Sequence, residues 1–290
     1  MSNKNTSFLK NKEMICGDKV LDLSEPRIMG ILNLTQDSFY DGGKHTQGED
    51  YLHAAEAMIA EGAHIIDVGA ASTRPGAKLI DEKQEWDILY QPLVKMKKAF
   101  PDMMFSVDTY NASQIAKCAD LGVHLINDIS GGSWDQNMFS EIAKYSMAYV
   151  MMHIQGKPEN MQNAPSYHSV IDDVVDFFAK RIKRLKDLEF HQIIIDPGFG
   201  FGKSLGHNFE LLAEMNRLTD LGCPVLAGLS RKSMIFRSLD ISPQEALNGT
   251  SVLNTLALQN GADILRVHDI KEANETIKLV LRYKRGLKNI

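Results

Sequence analysis

Short apolar runs rich in β-branched residues recur along the chain at 28–34, 64–70, 103–109, 124–130, 148–154, 192–198, 224–230 and 263–269. Each has strand length and is nearly continuous rather than cleanly alternating, the pattern of a parallel sheet buried on both faces. Helical periodicity fills the gaps. Residues 50–61 carry Leu52, Ala55 and Ile59 on one face, and further helices are predicted over 81–99, 112–121, 170–188, 208–221, 243–259 and 271–285. Pro101 closes the second of these, and Pro92 inside it predicts a kink or a break into two helices. Gly122, Gly222 and Gly261 stand where helix ends favour glycine.

Eight strand–helix units without a Pro/Gly/Ser-rich break predict an α/β fold, a (β/α)8 TIM barrel over 28–290. The stretch 1–27 is a short N-terminal extension, and a hairpin closing the barrel bottom is one form open to it. The rival architecture is a doubly wound open sheet, which carries a Gly-rich phosphate loop after its first strand. Here that strand runs into NLTQDSF (33–39), with no GxGxxG, so the barrel is favoured.

Composition narrows the function class. The chain of 290 residues has Lys+Arg 32 against Asp+Glu 37, a net charge of -5. That argues against nucleic acid or an anionic membrane as the main partner. No apolar run approaches the ~18 residues that span a bilayer, and the N-terminus lacks the apolar region of a signal peptide. Cys16, Cys118 and Cys223 are scattered, without CxxC, which fits free thiols in a reducing cytoplasm.

The candidate chemistry lies at the C-terminal ends of the strands, where barrels of this kind place it. Those ends carry Asn33, Asp67, Asp108, Asn127, His153, Asp196, Ser230 with Arg231 and Lys232, and Arg266 with His268. A lone strand-end Asp often only caps a helix, but the recurrence from strand to strand is hard to explain by capping. One group suits an anion. STRPG (72–76) offers hydroxyls and a guanidinium, and Arg266 and His268, two apart, share a strand face. Asn33 and Asp37 add oxygen ligands suited to a Mg2+ shared with phosphate. The other group is Asp108, Asn127 and Asp196 with Lys232. Inward carboxylates need donors, which a flat heterocycle with an amino-pyrimidine edge would bring; a metal between the two Asp is the alternative. GFGFGK (198–203) is not a P-loop, but it permits close backbone approach under an aromatic cover. Met151 and Met152 are core or pocket wall, and His153 a pocket-edge residue rather than a metal ligand.

At these motifs the sequence resembles the dihydropteroate synthases. The matching strings are GILNLTQDSFYDGG (30–43), DVGAASTRPG (67–76), SVDT (106–109), NDIS (127–130), MHIQG (152–156), DPGFGFGK (196–203), SRKSM (230–234) and RVHD (266–269). They run in family order and are jointly specific. The resemblance implies an enzyme of folate synthesis that joins 7,8-dihydropterin-6-ylmethyl diphosphate to 4-aminobenzoate, with Mg2+, usually as a homodimer and as a target of sulfonamides. It implies a pterin pocket of Asp108, Asn127, Met152, Asp196 and Lys232. It implies diphosphate contacts from Asn33, Thr73, Arg74, Arg266 and His268, and a metal held by Asn33 and Asp37. It implies an aminobenzoate site of Phe39, Thr73, Pro75, Phe201 and Ser230, and catalytic roles for Asp37, Arg74, Asp108 and Lys232. The sequence departs from the family at Gln36, Tyr40 and Ala71, none of them a proposed ligand. Two rivals are weighed against this reading. A pterin-binding methyltransferase needs no diphosphate site, and a non-catalytic paralogue is expected to lack Asp37, Arg74 or Lys232.

Overall fold

Period-two alternation inside each strand sorts side chains to the two sides of the sheet, and it sets the architecture. The computed structural model describes residues 13–34, 50–70, 80–157, 161 and 165–287. A hairpin comes first, β1 (Glu13–Cys16) against β2 (Lys19–Asp22), antiparallel. Eight parallel strands follow: β3 (Arg27–Asn33), β4 (Ile65–Gly69), β5 (Met104–Asp108), β6 (Leu125–Asp128), β7 (Ala148–Met152), β8 (Ile193–Asp196), β9 (Leu226–Ala227) and β10 (Ile264–Val267). Their order is β8-β7-β6-β5-β4-β3-β10-β9, and a parallel bridge between Ile195 and Val225 joins the two ends into a ring. The fold is a TIM barrel.

Outward residues such as Leu32, Val68, Phe105, Ile126, Tyr149, Ile195 and Val267 pack under the helices in the main core. Inward residues at the N-terminal ends form a second core: Met29, Ile65, Leu125, Ala148, Val150, Ile194, Leu226 and Ile264. The hairpin lays Met14, Cys16, Leu21 and Leu23 against this floor. Gly17, at φ 66°, supplies the positive φ that the first position of a two-residue hairpin turn requires.

The helices are α1 (Asp50–Glu61), α2 (Glu82–Ala99), α3 (Ser113–Asp120), α4 (Met138–Ile142), α5 (Val170–Asp187), α6 (Leu205–Ala213), α7 (Ser233–Leu239), α8 (Leu247–Gln259) and α9 (Ile270–Leu287). The break expected at Pro92 does not occur: α2 runs through it as one assigned helix. Proline removes a single backbone donor, and the buried stripe Leu89, Leu93 and Met96 holds the helix on the barrel across that point. The helix predicted over 208–221 begins earlier, because Ser204 and His207 form a capping box, and its second half is a 3-10 turn at Met215–Leu221. The stretch 243–259 divides likewise, into a 3-10 turn (Pro243–Glu245) and α8. Helices α4 and α7 have no counterpart among the predicted ones; at five and seven residues they are too short to show a period.

Candidate functional site

On five of the barrel strands the residues that follow the apolar floor, two positions further along, are polar. Ile65 is followed by Asp67, Leu125 by Asn127, Ile194 by Asp196, and Ile264 by Arg266; on β5, Met104 leads through Ser106 to Asp108. Alternation therefore points all of them into the barrel, above a dry base. Asp67, Asp108, Asn127 and Asp196 are buried.

They form one network. Arg266 Nε donates to Asp67 Oδ2 at 2.8 Å, and its Nη2 reaches both Asp67 Oδ2 (2.7 Å) and Asp108 Oδ2 (3.1 Å). Asn127 Nδ2 donates to the same Asp67 oxygen at 2.8 Å. The Gly198 N–H donates to Asp196 Oδ1 at 2.7 Å. Lys232 Nζ lies 3.9 Å from the centre of the Phe201 ring, a cation–π contact. A narrow pocket opens here, lined by Asn127, Met152, Asp196, Phe201, Lys232 and Arg266 among others.

Burial dominates the electrostatics. It pushes Asp108 up to about 7 against the pull of Arg266, and Asp67, Glu85 and Asp128 add to the rise. It pushes Lys232 down to about 7, opposed by Asp196 and Asp108 and aided by Arg266. It raises Asp196 as well. Burial works against the charge of Arg266, yet Asp67 and Asp108 hold its affinity for the proton above the ordinary range.

The loop after β8 covers the pocket. Its glycines are required by space and by φ. A Cβ on Gly198 would sit 2.0 Å from the His153 carbonyl oxygen, and one on Gly202 would sit 2.3 Å from that of Gln155. Beneath it lies a residue that sequence reasoning misses, Lys203. At 2 % exposure it points Nζ at His153 Nδ1 (2.9 Å) and at the carbonyls of Gly198 (2.9 Å) and Phe201 (3.1 Å). Burial lowers it to about 7. His153 is buried against Lys203 and is not among the residues that line the pocket.

Of the proposed site residues, Asn127, Met152, Asp196, Phe201, Lys232 and Arg266 line this pocket, and Asp108 is joined to it through Arg266. Ser230 and His268 stand together at the rim, Ser230 Oγ 2.9 Å from His268 Nδ1. Asn33 ends β3, half-buried. Asp37, Phe39, Thr73, Arg74 and Pro75 lie outside the described residues. One grouping changes. The sequence pattern puts Arg266 with His268 in an anion site, but its guanidinium bonds to the buried carboxyls of Asp67 and Asp108 among the pocket residues. Two residues of strand separate the pair by roughly 6.6 Å along the strand, so sharing a face does not mean sharing a partner. Asp67 is only a strand-end residue in the sequence reading; its place one layer below Asp108 is legible in the alternation on β4 and β5.

Comparison with known proteins gives the family. Residues 29–268 match the family model described as pterin binding enzyme. The chain is 40% identical over 262 residues, 90% of its length and 92% of the relative's, to the dihydropteroate synthase of Escherichia coli K12. Among solved structures it resembles the Yersinia pestis dihydropteroate synthase in complex with a sulfonamide drug, at TM-score 0.88 and 39% identity, covering 94% of this chain and 99% of that one. It also resembles the Xanthomonas albilineans enzyme with 4-aminobenzoic acid, at TM-score 0.87 and 34% identity, covering 94% and 98%. The chain belongs to the dihydropteroate synthase family of pterin-binding enzymes.

Proposed function

We infer that this chain is a dihydropteroate synthase, a transferase that condenses 7,8-dihydropterin-6-ylmethyl diphosphate with 4-aminobenzoate to 7,8-dihydropteroate and diphosphate. The observation that carries the residue assignment is one pocket lined by the Asp196 carboxyl, the Asn127 amide, Lys232 and Arg266 and walled by Met152 and Phe201, with the buried Asp108 carboxyl joined to it through Arg266. Acceptors buried this deeply call for a ligand bringing several N–H donors on a flat edge, and the pterin has that edge. Lys232 would donate to the ring carbonyl. The expected diphosphate contacts at the mouth are Asn33 and His268, together with Thr73 and Arg74; Arg266 would serve both sub-sites from below. Ser230 and Phe201, with Phe39, Thr73 and Pro75, are the proposed aminobenzoate contacts.

The C–O bond to diphosphate breaks with its electron pair going to diphosphate. The exocyclic carbon gains cationic character that the electron-rich dihydropterin shares and that ionised Asp108 stabilises. The arylamine lone pair then forms the C–N bond, and its surplus proton leaves to solvent. An arylamine is neutral and nucleophilic at pH 7, so no nucleophile–His–Asp arrangement is required. The donor chemistry of Asn33, an amide oxygen at the strand end, fits a Mg2+ that keeps most of its waters and is completed by Asp37 and the substrate. Bound there, the metal would neutralise the leaving diphosphate. Among the described residues no cluster of His, Cys, Asp or Glu could hold a metal by itself.

Diphosphate release, assayed with both substrates and with and without Mg2+, tests the reading. Release that needs both substrates and the metal supports it, and release independent of aminobenzoate would count against it.

Two further properties belong to the proposal. A groove of about 500 Å³ between α8 and α9 is lined by Val252, Leu279 and Tyr283, all exposed. An apolar stripe of this size favours a second copy of the chain, a homodimer through α8 and α9. Leu279→Asp should then yield monomers in sedimentation; an unchanged species would place the interface elsewhere. A cytoplasmic location fits the three free, buried thiols, and among the described residues no helix is long and apolar enough to cross a membrane.

A further inference from the structure

Asp67 touches two of the proposed pocket residues, yet it lies one layer below the pocket and takes no part in the bond-making steps. The side chain is wholly buried. Its Oδ2 accepts from Asn127 Nδ2 and from both Nε and Nη2 of Arg266, at 2.8, 2.8 and 2.7 Å. Its Oδ1, equally buried, meets no donor among the described residues. A carboxylate only accepts, so the Asn127 amide must turn its nitrogen down to Asp67 and its oxygen the other way. The same Nη2 that serves Asp67 also serves Asp108, at 3.1 Å. Arg266 is therefore divided between two carboxylates, with both Nε and Nη2 on Asp67 and Nη2 alone on Asp108.

We propose that Asp67 is a positioning residue of the enzyme: by holding the Asn127 amide and the inner edge of the Arg266 guanidinium on one oxygen, it fixes the Asn127 carbonyl toward the pocket and leaves Asp108 only a minor share of the Arg266 charge. The proposal rests on the pterin assignment of the pocket. Among the described residues, the charged and titratable groups facing Asp108 are Arg266 from β10, Asp67 from β4, Glu85 from α2, Tyr110 from the segment after β5, Asp128 from β6 and Lys232 from the segment after β9. Burial is the largest influence on the Asp108 pKa and raises it; on top of that Arg266 lowers it and Asp67 raises it, so the partition of Arg266 shifts the pH at which Asp108 loses its proton. Asp67 thereby tunes a group it does not touch.

The test uses the full chain with Asp67→Asn and Asp67→Glu. Two quantities are read: the pH profile of kcat/KM for the pterin diphosphate, and calorimetric affinity for a pterin lacking phosphate. Removing the Asp67 charge takes away one neighbour that raises Asp108 and releases the guanidinium to it. The acid limb, below which Asp108 is protonated, is therefore expected to move down by about one pH unit in Asp67→Asn. Pterin affinity is expected to fall about tenfold as the bond anchoring Asn127 changes from a charge-assisted to a neutral one, while KM for 4-aminobenzoate stays unchanged. Asp67→Glu keeps the charge and should keep the limb at its wild-type position. A residue that only stabilised the fold would lower thermal stability and move no limb. If Asp67→Asn does not fold, Asp67→Ser removes the same charge and carries the same two readouts. A folded, charge-free variant whose limb and pterin affinity match wild type overturns the proposal, as does a limb that moves as far in Asp67→Glu as in Asp67→Asn. Asp196→Asn separates this from the pocket assignment. If that variant keeps full pterin affinity, the assignment itself fails; if it loses affinity while Asp67→Asn changes nothing, only the role of Asp67 fails.

Discussion

Asp196 receives a single described hydrogen bond, from the Gly198 N–H to Oδ1. Opposite its other oxygen stands Gly228, whose missing Cβ would lie 3.8 Å from Oδ2, so that side of the carboxyl stays open to a ligand. A hydrogen bond to a charged group contributes roughly 1.5–3 kcal/mol. Asp196→Asn should therefore weaken pterin binding by about that amount for each hydrogen bond it removes, and a calorimetric change under about 0.3 kcal/mol would remove Asp196 from the pocket. Arg266→Ala has a different expected signature. Because the guanidinium braces Asp67 and Asp108, its removal leaves two buried carboxyls with fewer donors. Affinity for phosphate-free pterin should fall together with affinity for the diphosphate; a loss confined to the diphosphate would return Arg266 to the anion group. At this scale the sequence tells which residues carry the chemistry but not who pairs with whom. Arg266 and His268 share a face in any strand, yet only the closed barrel brings Asp67, 199 positions away in the chain, within reach of the guanidinium.

The eight barrel strands are legible in the sequence because each is largely buried on both sides and so reads as an apolar run. The described helices longer than ten residues are legible because one face of each meets the barrel. What escapes is decided by tertiary contact. Strand β9 is assigned only two residues, Leu226–Ala227, with ring closure passing to a single bridge at Val225. Helix α4 holds its five residues by burying Met138, Phe139 and Ile142, too few for a period to show. The Gly-Phe alternation after β8 permits close backbone approach, and the glycine geometry shows how close. Gly202 combines φ 58° with a Cβ position 2.3 Å from the Gln155 carbonyl oxygen. Gly202→Ala must push the loop away from β7 and with it Phe201, the pocket's aromatic cover. The incompatible φ alone costs more than about 1 kcal/mol. The expected outcome is a lower thermal midpoint together with a raised KM for 4-aminobenzoate. A variant with the wild-type KM would show that Phe201 does not depend on the loop's fit.

At the level of the whole molecule the barrel has two unlike ends, a polar mouth and an apolar base on which the hairpin rests. The hairpin is fastened there by the Gly17 N–H to the Ser146 carbonyl (2.8 Å), by the Ile15 N–H to Gln192 Oε1 (3.1 Å), and by Asp18 against His124 (3.2 Å). His124 is wholly buried, and its Nδ1 accepts the Phe105 N–H at 2.9 Å. That bond needs the neutral imidazole, since a proton on Nδ1 would face the amide hydrogen head-on. Burial first, then Lys97, pushes His124 down to about 4; Lys19 adds to the fall and Asp18 opposes it. The folded pKa thus lies below the unfolded value near 6.5. Between the two, the unfolded chain takes up a proton that the folded chain refuses. The contribution of His124 to stability is therefore complete above about pH 6.5 and is lost as the pH falls toward 4, at about 1.4 kcal/mol per unit. Asp108, raised to about 7, has the opposite slope over much of the same range, so the wild-type curve alone does not isolate the histidine. The variant His124→Gln does: its amide oxygen can accept the Phe105 N–H, and it does not titrate. Urea unfolding of both proteins should show wild type ahead above pH 6.5 and its lead narrower by about 1.4 kcal/mol at pH 5.5. A gap between the two proteins that stays constant from pH 7 to pH 5 would mean that His124 keeps the same charge in the folded and unfolded chains, and the account of how the hairpin is fastened to the barrel floor would fail at that contact.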